Sequence, residues 1–242
     1  MEHPVVLVHG WGGSFHSTWK ESGFADLLED VGRTVIGVDL LGHGSAPKPH
    51  DPDEYRDLTL RVLASAPETQ CDFVGFSLGA ITVLRLAIDH PHRVRSLVLA
   101  GIGRNVLESS DSTSHRSIID ALRAENPPSS SIGNEDTDAR DDPASNIGRM
   151  FVQYADRPDN DRIALTALLE CGRPAFTPEE LGRVDCPTLV VIGSDDFAGP
   201  GEPLVELLPN AQLVTLARVD HFATPENFGF FDAAFDFLGV AP

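Results

Sequence analysis

Residues 73–79 read Phe73-Val74-Gly75-Phe76-Ser77-Leu78-Gly79, a complete G-x-S-x-G pentapeptide that closes an apolar run. A helix-like stretch from Ala80 to His90 follows at once. This context predicts a sharp strand-to-helix turn that pushes the Ser77 hydroxyl out beyond the sheet edge. Only small residues two positions either side permit such a turn, hence Gly75 and Gly79. Without its flanks the pentapeptide would be an ordinary glycine-rich βα turn. The strand before it and the helix after it make Ser77 a candidate nucleophile.

A serine hydroxyl is a poor nucleophile at neutral pH. It needs a base within hydrogen-bond reach, and the base needs an acid to orient it. Where such an elbow is used, the chain order is Ser, then Asp or Glu, then His. Downstream of Ser77, Leu189-Val190-Val191-Ile192-Gly193-Ser194-Asp195-Asp196 is an apolar run ending in two aspartates. Val219-Asp220-His221-Phe222 follows the apolar-rich Leu213–Leu216. Each candidate sits just past the C-terminal end of an expected strand, the edge at which open parallel sheets place their sites. His50, His90, His92 and His115 lie in polar or helix-end contexts and are weaker candidates for the base. The oxyanion needs backbone donors. Val5–Val8 runs into the loop His9-Gly10-Trp11-Gly12-Gly13, which can aim an N–H at developing charge, so the Trp11 and Leu78 amides are the expected pair. His9 and His43 both precede Ser77 in glycine-rich loops, where holding the turns together is the simpler role.

At this point the chain resembles the α/β-hydrolases. His9–Gly13 is similar to their oxyanion loop, Asp39-Leu40-Leu41-Gly42-His43-Gly44-Ser45 to their D-x-x-G-H-G-x-S turn, and Gly75–Gly79 to their nucleophile elbow. Gly193-Ser194-Asp195-Asp196 is similar to the G-x-x-D acid turn, a match that favours Asp196 over Asp195. Asp220-His221-Phe222 is similar to the terminal histidine turn. The resemblance implies an α/β fold, a mostly parallel sheet with helices on both faces, made of residues 1–103 and 184–242. It implies a helical cap inserted at 104–183. Relatives usually carry a hairpin before the oxyanion strand, whereas here that strand begins at Val5, so the sheet is expected to be shorter by about two strands.

Strands are expected at 5–8, 33–38, 71–76, 95–100, 187–193 and 211–216, as continuous apolar runs suited to a sheet covered on both faces. Helices are expected at 18–30, 55–66, 78–90, 200–208 and 226–238. Between 104 and 184 the composition changes. Glu125 to Asp142 is acidic and rich in serine and proline, with few apolar anchors, and is expected to be mobile. Around it lie amphipathic pieces at Ile118–Leu122, Ile147–Tyr154 and Ile163–Leu169. Met150, Phe151, Tyr154, Leu165 and Leu168 are the candidate pocket residues, with Phe176 beside them.

A chain of 242 residues can bury a sizeable core. Its net charge of −19 argues against nucleic acid and anionic membrane as partners, since both are polyanions. No apolar run approaches the ~20 residues of a membrane span, and Met1-Glu2-His3-Pro4 lacks a basic leader, so a cytoplasmic protein is expected. Three distant cysteines, Cys71, Cys171 and Cys186, form neither a disulfide framework nor a zinc spacing. No cofactor or metal is expected.

These readings converge on an enzyme that cleaves a carboxylic ester, or a related small acyl compound, through an acyl-enzyme at Ser77. The same triad serves lactone opening, C–C cleavage and perhydrolysis in relatives. Serine at the elbow disfavours the branches that attack with a carboxylate. A small-ligand receptor of the same fold, turning over slowly or not at all, is the alternative of another class.

Overall fold

The computed structural model describes residues 3–109, 113–124 and 143–240. Six parallel strands form one sheet in the order β2-β1-β3-β4-β5-β6. They are β1 (Val5–Val8), β2 (Val35–Val38), β3 (Cys71–Phe76), β4 (Val94–Ala100), β5 (Thr188–Gly193) and β6 (Ala211–Leu216). Each lies within two residues of its expected bounds. Their continuous apolar character has a direct cause. Alternate residues feed two separate cores, with Val6, Val8, Phe73, Leu97 and Val190 on one side and Val5, Leu7, Val74, Val98 and Val191 on the other. The first core is closed by α2 (Thr59–Ser65) and α3 (Leu78–Asp89). The second is closed by α1 (Phe24–Asp30) and by α9, Phe228–Leu238, whose Phe230 stacks on Phe24 at 5.2 Å.

The chain runs outward from β1 to β2, then returns past β1 to β3. The loops after β1 and β3 therefore diverge at a point where strand order reverses, the usual place for a crevice in an open α/β sheet. Ser77 and the His9–Gly13 loop meet there.

Three expected helices are shorter than the sequence suggests. The stretch 18–30 is a π-helical turn at His16–Lys20 followed by α1, because Gly23 takes a left-handed φ of 81° between them. The stretch 55–66 is a 3₁₀ turn at Pro52–Tyr55 followed by α2, with the Asp57 carboxylate accepting from the Thr59 amide and hydroxyl. The stretch 200–208 reduces to α8, Glu202–Val205.

Between β4 and β5 lie α4 (Thr113–Arg123), α5 (Pro143–Ala155), α6 (Arg162–Cys171) and the short α7 (Pro178–Leu181). The amphipathic pieces noted in the sequence fall inside α4, α5 and α6. Leu122, Val152, Ala155 and Leu165 form their shared core, with Trp11 packed against it. Asp161 caps α6 by accepting from the Ile163 and Ala164 amides. The Glu125–Asp142 segment lies outside the described residues. No helix among the described residues is long and apolar enough to cross a membrane. The three cysteines are unpaired; Cys71 is buried, whereas Cys171 and Cys186 are partly exposed.

The base of the sheet, at the end opposite Ser77, is held by one buried carboxylate. Asp72 on β3 accepts from Arg33 at 2.6 Å, from Arg95 through two contacts of 2.6 Å, and from the Ser96 hydroxyl. Arg33 also donates to the carbonyls of His3 and Leu238, which ties the N-terminal segment and α9 to the same point. Asp72 is fully buried and Arg33 nearly so. Removing one partner of such a pair strands the other charge in low dielectric. Asp72→Ala is therefore expected to lower unfolding stability by about 3–5 kcal/mol. Urea denaturation checks this, and a loss below about 1 kcal/mol would contradict the clamp.

Candidate active site

Ser77 sits between β3 and α3 with φ 51° and ψ −113°, a conformation that L residues rarely adopt. The flanking glycines are sterically required. A Cβ on Gly79 would lie 2.2 Å from the Val8 carbonyl oxygen, and one on Gly75 would lie 2.6 Å from the Ala80 backbone. The elbow thus forms because β1, β3 and α3 approach more closely than any side chain allows.

His221 Nε2 lies 2.9 Å from Ser77 Oγ. His221 Nδ1 lies 2.8 Å and 3.0 Å from the two carboxylate oxygens of Asp196. This pattern places the imidazole proton on Nδ1, donating to Asp196, and leaves Nε2 to accept from the serine hydroxyl. Asp196 is itself oriented, because its Oδ1 accepts from the Ala198 amide at 2.8 Å. Both His221 and Asp196 are buried. Asp195 turns outward, is exposed, and accepts from the Ser194 hydroxyl at 2.9 Å. Of the two neighbouring aspartates, Asp196 is the one the structure brings to His221. The turns that carry them are joined by the Ser194 amide donating to Leu216 O and the Asp195 amide to Val219 O.

Leu78 is the first residue of α3, so its N–H belongs to the unsatisfied, positive end of that helix. Trp11 follows β1 in a loop closed by the Gly13 amide donating to Gly10 O at 3.1 Å. Among the described residues neither the Trp11 nor the Leu78 amide has a backbone acceptor. His9 sets the loop's path. Its Nδ1–H donates to Gly10 O at 2.7 Å, and its Nε2 accepts from the Leu40 amide at 3.0 Å. It thereby bridges the ends of β1 and β2. His43 lies beside it, ring centroids 4.9 Å apart, with Nδ1 donating to Leu41 O and Nε2 unpartnered. Burial pushes the His9 pKa down; burial and the His9 neighbour push His43 down to about 3. Both rings are neutral braces. Asp39 completes this corner. Burial acts to raise its pKa, but the amides of Phe15 and Ser45 and the Ser45 hydroxyl outweigh that and hold the carboxyl below its ordinary value.

The candidate pocket residues divide. Phe151 lies 4.7 Å from Trp11 and 6.4 Å from Phe197, centroid to centroid. Tyr154 stacks on Phe222 at 4.8 Å, while the Arg157 guanidinium lies 3.8 Å from its centroid. Met150 is half-buried on the same helix. Leu165 is fully buried in the α4–α5–α6 core, and its carbonyl accepts from the Trp11 indole at 3.2 Å. Leu168 packs with Tyr55, and Trp11 and Leu78 pack against that pair. Phe176 is buried in the sheet core. Asn160, between α5 and α6, donates to Gly12 O and Tyr154 O, both at 2.8 Å, and so holds this helical region against the loop after β1.

Sequence reading missed three rings around the base. Phe197 lies 4.2 Å from His221, Phe76 5.0 Å and Phe222 5.3 Å. A signal was available, since a phenylalanine adjoins every member of the Ser77–Asp196–His221 set. Among the described residues no three His, Cys, Asp or Glu side chains converge as a metal site requires.

A serine at the carboxyl edge of a parallel sheet, bonded to a histidine that a buried carboxylate holds, is the arrangement of a serine hydrolase. The chain belongs to the α/β-hydrolase family: the family profile, described as alpha/beta hydrolase fold, matches residues 3–228. It is 31% identical over 240 residues to a pimeloyl-(acyl-carrier protein) methyl ester esterase of Neisseria meningitidis serogroup C, covering 90% of this chain and 86% of that one. An esterase from Rhodococcus sp. ECU1013 superposes with a TM-score of 0.69 at 26% identity, over 98% of this chain and 90% of the other. A 2-hydroxy-6-oxo-6-phenylhexa-2,4-dienoate hydrolase from Rhodococcus sp. strain RHA1 shares the fold, with a TM-score of 0.72 at 23% identity, over 99% and 91% of the two chains.

The geometry separates the two aspartates experimentally. Asp196→Asn is expected to lower kcat by about 10³–10⁴-fold, because an amide there favours the wrong imidazole tautomer. Asp195→Asn is expected to stay within about twofold of the parent, as an exposed residue away from the base. Steady-state kinetics on both variants decide it, and a crippled Asp195→Asn beside an unimpaired Asp196→Asn would reverse the assignment.

Proposed function

We propose that the protein is a serine hydrolase that cleaves a carboxylic ester of a small acyl substrate through an acyl-enzyme at Ser77. The observation that carries this reading is the continuous hydrogen-bond chain from Asp196 through His221 to Ser77. His221 Nε2 takes the serine proton as Oγ adds to the carbonyl carbon. The oxygen that becomes negative is received by the Trp11 and Leu78 amides, whose N–H groups need no reorganisation to meet it. The imidazolium, held by Asp196, returns its proton to the departing alcohol, and the ester C–O bond breaks. Water then repeats the sequence on the acyl-enzyme, with His221 as base, releasing the carboxylic acid and restoring Ser77.

Two features support an ester as the substrate. Serine at the elbow supplies an acyl-forming nucleophile, and the 31%-identical relative is itself a methyl ester esterase. Residues 104–183 take the part of a cap: α5 and α6 lie against the oxyanion loop through Asn160 and Leu165, so they border the space an acyl group would fill. Met150, Phe151 and Tyr154 on α5 are its pocket-side residues in this reading, while Leu165 and Leu168 hold the helices together. The unpaired thiols favour work in a reducing compartment, the cytoplasm.

A panel of chromogenic esters of graded acyl length, run beside lactones and a C–C diketone, tests the reading. Multiple turnovers on esters are expected, with Ser77→Ala losing at least about 10³-fold in kcat. A single slow cycle on every compound would point to a receptor, and undiminished turnover by Ser77→Ala would remove the nucleophile.

A further inference from the structure

The imidazole of His221 is enclosed on its edges. Asp196 lies on Nδ1, Ser77 on Nε2, and Gly101 beside the ring carbon between them, where an added Cβ would fall 3.2 Å from Cε1. His221 is only 4% exposed. When Nε2 takes the serine proton, the ring becomes a cation that water scarcely reaches. A buried cation is costly unless its surroundings answer its charge. Asp196 answers it at one edge.

The rings around His221 are Phe197 at 4.2 Å, Phe76 at 5.0 Å and Phe222 at 5.3 Å. Phe222 stands at 84° to the imidazole, an edge-to-face pair. Phe197 is placed differently. Edge-to-face pairs have centroids about 4.5–7 Å apart. At 4.2 Å and a tilt of 37° neither ring has room to turn an edge to the other, so the imidazole lies over the face of Phe197. That face carries the negative part of the phenyl quadrupole, which attracts a cation within about 6 Å of its centroid.

The acid turn itself delivers this ring. Asp196 Oδ1, 2.8 Å from His221 Nδ1, also accepts from the Ala198 amide at 2.8 Å. Asp196 O accepts from the Gly199 amide at 3.1 Å. Both bonds span Phe197, so the turn that aims the carboxylate at one edge of the imidazole also brings the phenyl ring to its face. A leucine there would keep water away in the same manner, but it would meet the cation with an apolar wall that has no quadrupole.

We propose that Phe197 is a positioning residue that acts through His221, its ring face stabilising the imidazolium that forms as Ser77 Oγ bonds to the carbonyl carbon. The proposal rests on the serine-hydrolase reading above and adds to it a second source of charge stabilisation at the base. Because the imidazolium exists only along the reaction path, the effect falls on kcat and kcat/KM alike and leaves KM unchanged.

The test replaces Phe197 with phenylalanines carrying one, two and three ring fluorines, which nearly keep the shape of the ring and withdraw charge from its face in steps. On the best ester of the panel, kcat is expected to fall stepwise, by about tenfold at three fluorines, with KM within about twofold of the parent, as for the loss of a desolvated cation–π contact. Phe197→Tyr is expected to stay within about twofold of the parent, and Phe197→Leu to match the trifluorinated ring. A second arm measures inactivation by diethyl para-nitrophenyl phosphate. There Ser77 Oγ bonds to phosphorus, para-nitrophenolate departs and the serine proton passes to His221, so the base is needed but no ester is turned over. The same stepwise decline is expected in the inactivation rate. A decline in this arm with every ester inert would uphold the proposal and sink the ester reading alone. Rates indifferent to fluorine in an active parent would overturn the proposal and leave the ester reading standing. A parent that neither turns over esters nor is inactivated would overturn both.

Discussion

Everything at this site depends on one backbone constraint, the left-handed turn at Ser77. A non-glycine residue at φ 51° costs about 1–3 kcal/mol and persists only where its surroundings leave no alternative. Those surroundings are visible. Gly79 allows α3 to start against the Val8 carbonyl, Gly75 allows the helix backbone to close on β3, and the Ser77 amide donates to Ala100 O on β4. Relaxing the turn would swing Oγ away from His221 and the Leu78 amide away from the space above it. Among the described residues the only other non-glycine with positive φ is Arg218, whose amide donates to Ser194 Oγ. The two residues with positive φ lie in the turns that bring Ser77, Asp196 and His221 together.

Around that turn the protein is held at both ends of β3. At one end Asp72 gathers Arg33, Arg95 and Ser96; at the other, His9 and Asp39 fasten the loops after β1 and β2. The crevice between them lies where strand order reverses, so the sheet presents backbone amides and side chains from several strands to one point. The helices between β4 and β5 reach this point through Asn160, the Trp11 indole and the ring contacts of Phe151 and Tyr154. The loops after the strands carry Ser77, Asp196 and His221, and α5 and α6 pack beside the loop after β1.

Much of this is legible in the sequence, for identifiable reasons. A sheet buried on both faces must be built from unbroken apolar runs, and Val5–Val8, Leu97–Ala100 and Leu189–Ile192 are such runs. Ser77, Asp196 and His221 stand out because each lies just past a strand, where a parallel sheet presents its edge. What is lost is lost to geometry that pattern does not carry. The apolar periodicity of 18–30 runs straight through Gly23, although that one left-handed residue splits the helix. The aromatic contacts join residues 11, 151, 154, 197 and 222, whose proximity exists only after folding. Leu165 and Leu168 have the hydrophobicity of pocket residues, yet their helix turns them mainly toward its neighbours.

The two neutral imidazoles at the loop after β1 set a lower bound on the pH that this corner tolerates. An unfolded chain would protonate His43 near its ordinary value of 6.5, while the folded chain refuses that proton until about 3. The unfolded state therefore binds more protons across that interval, and His43's contribution to stability, complete above 6.5, is lost progressively as pH falls toward 3. His9, also depressed, adds to the loss in the same direction. Meanwhile the −19 charge of the chain shrinks as carboxylates protonate, which relieves self-repulsion elsewhere. Mild acid thus works in opposite senses on one molecule: it eases the crowded surface while loosening the bond from His9 to Leu40 that joins the loops after β1 and β2.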